Sequence, residues 1–400
     1  MSRMLKRYHF VLFFLDFFLV QTFVFAQESI LASYERNFLR SGIAEKERIL
    51  RDAAADKRAP EFIGALHEFA LNFVLQNMDV LQSDADFSAL TLTVVRGIGL
   101  SGRRSAAESL WQVFSRFQDT LIRVEAVNIL AVIGEGNAVI VENLNRYLIE
   151  QNNMSHSGIS VEYPVLSACI KALGALGEGS SFPALFPALV SGYPESITRE
   201  AEAAIDAIQG NFLQYLLDVI RKNPPSEKLA AFNIASNNKK FTDAERAGAA
   251  LVALEMGLNF FAGNKKDEDA AANLRYAAAR TIKSLRWIGA TGLAIKHFYR
   301  VQQDYGSGFA PREQLVEAVA CLGATGAPEA AQVLALHLGL MNSRMERNGE
   351  YDEAVTLGVI QALGEIGDKI AFDYLLYISY LSYPEGIQNA AKDALNRLKW

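Results

Sequence analysis

A short pattern recurs along this chain and limits its possible folds more than any other feature. It is an apolar helical run ending in Leu-Gly-x-x-Gly or a near relative. It occurs as Ile98-Gly99-Leu100-Ser101-Gly102 and as Leu130-Ala131-Val132-Ile133-Gly134. Clearer copies are Leu173-Gly174-Ala175-Leu176-Gly177, Leu322-Gly323-Ala324-Thr325-Gly326 and Leu363-Gly364-Glu365-Ile366-Gly367, and Leu285 to Gly289 is a weaker one. The final glycines fall 32 and 43 residues apart in the first series, and 37 and 41 in the second. That is the spacing of one helical hairpin per repeat. The final Gly belongs where a left-handed C-cap ends a helix, a conformation other residues adopt at a steric cost. The earlier Gly or Ala lets the next helix cross closely, and Ala126 and Ala318 suit the same tight stacking.

A larger symmetry lies above the repeats. Residues 163–208 align with 353–398 at a constant offset of 190, with 14 identities in 46 positions. Tyr193-Pro194-Glu195 matches Tyr383-Pro384-Glu385, and upstream Val124-Glu125-Ala126-Val127 recurs as Val316-Glu317-Ala318-Val319. Glu68 and Leu71-Asn72-Phe73 recur as Glu255 and Leu258-Asn259-Phe260, at an offset of 187. The expectation is an all-α chain, an α-solenoid of two tandemly duplicated halves at 27–210 and 241–400, joined by a connecting region at 211–240.

The Ala-x₃-Leu-Gly-x-x-Gly-[Asp/Glu] pattern, fullest in Ala172–Glu178 and Ile360–Asp368, resembles the HEAT-like repeats also found in phycobilisome lyases. The resemblance covers roughly 85–208 and 270–400. It implies a curved, armadillo-like stack of antiparallel helix pairs and, for most such proteins, an adaptor or scaffold role. The match is specific for fold and weak for function. The pattern is untidy at 211–263, and 46–82 is only loosely periodic.

The first 26 residues differ from the rest. Arg3, Lys6 and Arg7 form a basic start, Phe10 to Phe25 are almost wholly apolar, and Val24-Phe25-Ala26 offers a cleavage site before Gln27. This reads as a secretory signal peptide and places the mature protein in the periplasm or otherwise outside the cytosol. The alternative is an uncleaved anchor. Asp16 and an apolar run shorter than the roughly 20 residues a spanning helix needs argue against it. These residues hold three of the 39 Lys/Arg and one of the 45 Asp/Glu, leaving 36 basic against 44 acidic. An acidic mature chain without basic runs is a poor match for nucleic acid or for anionic membrane. Two cysteines, Cys169 and Cys321, sit in apolar helical segments and read as buried free thiols rather than a disulfide framework.

Several motifs invite chemistry and have simpler readings. Gly97-Ile98-Gly99-Leu100-Ser101-Gly102 satisfies the dinucleotide fingerprint, but it lies in a repeat turn rather than between a strand and a crossover helix. Ser236-Asn237-Asn238-Lys239 matches the S-x-x-K of penicillin-recognising enzymes without their companion motifs. His67, His156, His297 and His337 show no metal-ligand spacing, and His297 and His337 read as core or half-buried imidazoles. No cofactor, metal or catalytic residue is assigned.

Two clusters remain as candidate partner-binding residues. Tyr374, Tyr377 and Tyr380 stand where the first half has Ala184, Pro187 and Val190, whereas Tyr383 is shared with Tyr193. They read either as an accessible aromatic strip or as packing under the C-terminal repeat. Arg103, Arg104 and Arg116 flank Trp111 and read either as an anion-binding patch or as a solvated helix face. The expected function is a non-enzymatic exported scaffold that binds a protein partner along a curved helical surface. The alternative is a module for cell-wall glycan or an extended peptide, and a lyase-type enzyme follows only from the resemblance. A broad apolar patch would favour a protein partner, and aromatics beside few charges would favour glycan.

Overall fold

The computed structural model describes residues 30–55, 62–260 and 263–399, which are helices and their connections. The segment read above as a signal peptide, 1–26, and its cleavage point lie outside the described residues. β pairing among the described residues amounts to an isolated bridge between Asp368 and Lys399. None of the described helices is long and apolar enough to cross a membrane. The chain forms two compact units, Met1–Gly210 and Asn211–Trp400.

After helical residues 30–40, the first unit runs through α1 (Ile43–Ala55), α2 (Ile63–Leu81), α3 (Ala85–Ser101), α4 (Ala107–Arg116) and α5 (Thr120–Ile133), then α6 (Ala138–His156), α7 (Tyr163–Leu176), α8 (Phe182–Val190) and α9 (Glu195–Ala207). Odd-numbered helices pack side by side in one layer, and even-numbered helices form the other. The second unit comprises α10 (Leu213–Lys222), α11 (Pro225–Asn237), α12 (Asp243–Leu258), α13 (Lys265–Leu285), α14 (Thr291–Gly306), α15 (Arg312–Ala324), α16 (Pro328–Asn348), α17 (Glu353–Ile366), α18 (Phe372–Tyr377) and α19 (Glu385–Leu395). It is layered in the same way. Each unit is an α-solenoid of antiparallel helical hairpins. Residues 211–240, read above as a connecting region, carry α10 and α11, and both fall within the second unit.

Local chemistry sets the helix ends. Asp84, Asp119, Asn137, Asn264 and Asp352 accept backbone N–H groups at their helix starts, and Thr242 with Glu245 forms a capping box. Gly102, Gly177, Gly326 and Gly367 take the expected left-handed conformation. Two copies depart from it. Gly134 has φ −84°, and in the weak copy at 285–289 the left-handed residue is Arg286, at φ 49°. The earlier glycine of the motif works by absence of bulk. A Cβ on Gly174 would stand 2.8 Å from the Ala204 Cα, and one on Gly364 would stand 3.0 Å from the Ala394 Cα.

The duplication is visible helix by helix. α7 and α17 have bounds 190 apart at both ends, and α1 and α11 have bounds 182 apart at both ends. The earlier pair shares a device that the sequence comparison missed. Lys46 is buried and donates to the carbonyls of Phe38 and Ser41. Lys228, 182 residues on, donates to those of Ile220 (2.8 Å) and Arg221 (2.7 Å). Each ammonium satisfies carbonyls left open at the end of the preceding helix. Burial lowers both lysine pKa values. The offset is 184 where Gly102 and Arg286 both turn left-handed. The 187-residue match of Glu68–Phe73 with Glu255–Phe260 is therefore not structural. Glu68 lies within α2, whereas Glu255 is near the end of α12.

Candidate functional site

The residues nominated from sequence separate once their neighbours are seen. Arg103 donates through Nε and Nη2 to the Glu68 carboxylate at 3.0 and 2.8 Å. Arg104 pairs with Glu135 at 2.6 Å and Arg116 with Asp79 at 2.5 Å. Each arginine already faces an acid, which leaves no patch of unopposed positive charge around Trp111. The Trp111 ring packs on Phe114 at 5.0 Å. The tyrosines divide differently. Tyr380 is 75% exposed, and Tyr377 is exposed and donates its hydroxyl to Glu346 (2.8 Å). Tyr374 is half-buried with its ring over Gly339, so it is a packing residue rather than part of a strip. Tyr383 is buried against Tyr351, as Tyr193 is against Tyr163.

The remaining motifs resolve into packing. Gly97 and Gly99 lie inside α3, and the His67 ring occupies the space over Gly97, where a Cβ would come within 1.8 Å of it. Ser236 donates to the Asn233 carbonyl. Cys169 and Cys321 are free and buried. Burial raises both thiols, Cys321 to about 12, so neither is a thiolate near neutral pH. His297 is fully buried against Tyr276, and burial followed by the Arg275 charge pushes its pKa down to about 3. No cluster of three or more His, Cys, Asp or Glu among the described residues could hold a metal.

The feature that sequence reading missed emerges from comparing equivalent positions. In the first unit Phe114 on α4 meets Tyr147 on α6 edge to face, at 4.9 Å. The guanidinium of Arg123, on α5, lies 5.2 Å from the Phe114 ring and 5.6 Å from that of Tyr147. It donates to the Tyr147 hydroxyl (2.9 Å) and to Glu162 (3.3 Å). The second unit keeps the frame, with Phe298 on α14 meeting His337 on α16 edge to face at 5.1 Å. Asp352 stands at the position of Glu162. At the position of Arg123 stands Leu315, which is shorter and uncharged.

A cleft of about 410 Å³ opens there, lined by Tyr305, Leu315, His337, Arg344, Glu350, Tyr351 and Asp352 among others. Its volume falls within the roughly 300–1,000 Å³ typical of small-ligand sites. One wall is new. The offset between equivalent residues grows from 184 at the short helical turns before α4 and α14 to 192 at the starts of α5 and α15. The second copy thus carries eight more residues there, and they lengthen α14 far enough to bring Tyr305 to the cleft. Its hydroxyl donates to Asp352 at 2.9 Å. Burial and then the Arg344 charge lower the His337 pKa to about 4, so its ring is neutral near pH 7.

The even-numbered layer also differs outside the cleft. Tyr299 on α14, Leu336 and Leu340 on α16, and Tyr377 and Tyr380 beside α18 are exposed. Their first-unit counterparts are Ser115, Arg146, Glu150, Pro187 and Val190. Three polar or charged positions have become aliphatic or aromatic, and a proline and a valine have become tyrosines.

Among known proteins, no family model and no curated protein matches the chain. A solved structure from work on a conserved phosphorylation switch controlling the interaction between cadherin and beta-catenin aligns over 94% of this chain and 98% of its own, at 13% identity and a TM-score of 0.30. A likeness of that size carries no argument about fold or function.

Proposed function

We propose that the chain is a non-enzymatic, exported scaffold that binds a protein partner on the α14–α16–α18 face of its second unit. The observation that carries the reading is the set of exposed apolar residues on three successive helices of one layer, where the first unit has Ser115, Arg146 and Glu150. Water-facing positions gain nothing for folding from Leu336, Leu340 or Tyr299, whereas a covering partner would gain their burial. Tyr377 and Tyr380 extend the same layer with a residue type enriched at binding hot spots. The aliphatic pair Leu336 and Leu340 favours a protein over glycan, which stacks on aromatics but draws little from leucine. Export rests on the basic and apolar segments before Gln27.

The test is crosslinked capture from the envelope of the native cell, using the mature chain and a Leu336→Glu, Leu340→Glu variant, followed by direct binding to the captured protein. The variant should lose at least 90% of the recovered partner while keeping its melting temperature. Equal recovery by both chains would remove this face from the proposal. N-terminal mass spectrometry beginning at Gln27 supports export, and an intact Met1 in the membrane fraction would sink it.

A further inference from the structure

We infer that the cleft lined by Leu315, His337 and Asp352 binds a guanidinium group, supplied by an arginine side chain of the protein partner. The identity of the donor rests on the scaffold reading, and the chemistry rests on the first unit. There, the equivalent position holds a guanidinium from within the chain, between two rings and against a carboxylate. The second unit keeps an aromatic ring at both positions and an acid, with Phe298 buried behind His337, and replaces the arginine by Leu315. The rings that line the cleft itself are His337, Tyr305 and Tyr351.

The other changes add groups suited to a cation. Glu350 stands where the first unit has Ser160, and Tyr351 where it has Val161. The lengthened α14 contributes Tyr305, whose hydroxyl holds Asp352. Asp352 also accepts the Val355 N–H as the N-cap of α17, so its carboxylate is fixed without an occupant. Two positive groups are near. Arg344 lies on the lining and is solvent-exposed, and Arg312 Nη1 stands 4.0 Å from Asp352 with half of its side chain in water. Arg312 occupies the position of Thr120, a turn earlier than Arg123, so it reaches the acid from the rim and leaves the interior open. The lining thus offers Glu350 and Asp352 against Arg344, with His337 neutral. A planar guanidinium both stacks on rings and forks onto a carboxylate, whereas an ammonium does only part of this. Arginine is therefore preferred to lysine.

The experiment titrates the mature full-length chain with N-acetyl-arginine N-methylamide, with the lysine, norleucine and glutamate analogues in parallel, followed by NMR. The arginine probe should bind at one site, at least threefold more tightly than lysine and tenfold more tightly than the other two. Leu315→Arg, which restores the first unit's arrangement, should weaken probe binding at least tenfold with no fall in melting temperature. Should that variant fold poorly, Asp352→Asn keeps an N-cap residue, removes the charge and should weaken the probe about tenfold. Absence of binding at millimolar probe, equal binding of norleucine or glutamate, or full binding by a folded Leu315→Arg chain overturns the assignment. Partner capture is scored separately. If Leu315→Arg loses the probe yet captures the partner as well as the parent, the partner's arginine is not the occupant, and the inference falls while the scaffold reading stands. If the Leu336→Glu, Leu340→Glu variant captures as well as the parent, the reading falls and the probe result alone decides the guanidinium chemistry.

Discussion

Phe114, Arg123, Tyr147 and Glu162 in the first unit and Phe298, Leu315, His337 and Asp352 in the second occupy equivalent places, yet one set is closed and the other open. The aromatic contact survives almost unchanged, at 4.9 and 5.1 Å. The carboxylate survives as a shorter acid. What differs is the group between them, together with the eight-residue insertion that makes α14 six residues longer than α4 and the apolar substitutions on the same layer. Two copies under one folding constraint can differ freely only where folding does not depend on the residue. The retained positions are therefore the fold, and the altered positions are where specialisation has room.

The largest expected effects test the retained half of this comparison. Gly174→Val and Gly364→Val each place side-chain carbons against the backbone of a neighbouring helix. Overpacking of this kind costs about 1–3 kcal/mol and occasionally more. Contacts this close to backbone put both variants at the upper end, and the losses in the two units should agree within about 1 kcal/mol. Thermal or denaturant unfolding measures both. A loss in only one unit would show that the two interfaces are not equivalent.

Exchange at the divergent position comes next. Arg123→Leu removes two ring contacts, a hydrogen bond to Tyr147 and the pair with Glu162. Because Glu162 is half in water, the expected loss is about 1–3 kcal/mol rather than that of a fully buried pair. Leu315→Arg should lose nothing. Equal destabilisation by the two exchanges would mean that the second cleft is filled by packing that leucine alone satisfies.

A smaller, pH-dependent effect separates the cores. His297 stands where the first unit has Val113, with Arg275 and Tyr276 beside it. Its folded pKa of about 3 lies below the ordinary 6.5, so the unfolded chain binds its proton first as pH falls. The stability concerned is complete above about pH 6.5 and is lost progressively towards pH 3. His297→Val should flatten the decline of melting temperature across that window. His67 and His337, whose pKa values burial also lowers, leave a residual slope. An unchanged slope in the variant would place the acid sensitivity elsewhere.

The smallest stability change is expected at the tyrosines. Tyr377→Ala should cost under about 1 kcal/mol of folding, because the ring is exposed and its bond to Glu346 is on the surface. It should weaken the captured partner by about 1 kcal/mol or more, measured by calorimetry. Tyr374→Ala should show the reverse balance, since that ring covers Gly339. A folding loss of about 3 kcal/mol or more at Tyr377 would return it to the core.

Much of the fold was legible because its signals are local. A glycine in a left-handed cap or a glycine where helices cross acts within a few residues or at a fixed spacing. That is why Gly177, Gly367, Gly174 and Gly364 could be read from the chain. Lys46 and Lys228 were missed because a lysine in an amphipathic run looks solvated. Only the preceding helix, folding back, supplies the carbonyls that bury it. Arg286 was missed because left-handed turns usually announce themselves by glycine.

The sequence by itself determined that the chain is a helical repeat and that its second half copies its first. It also named Tyr377 and Tyr380 as departures from the copy. Tertiary structure alone decided that Tyr374 is packing, that Arg103 and Arg104 are paired with Glu68 and Glu135, and that Leu315 leaves a cleft. Each of these depends on residues about 20 or more positions apart, brought together by stacking of successive hairpins. Side-chain identity records what a residue can offer, but which neighbour takes up the offer is settled only when the layers close.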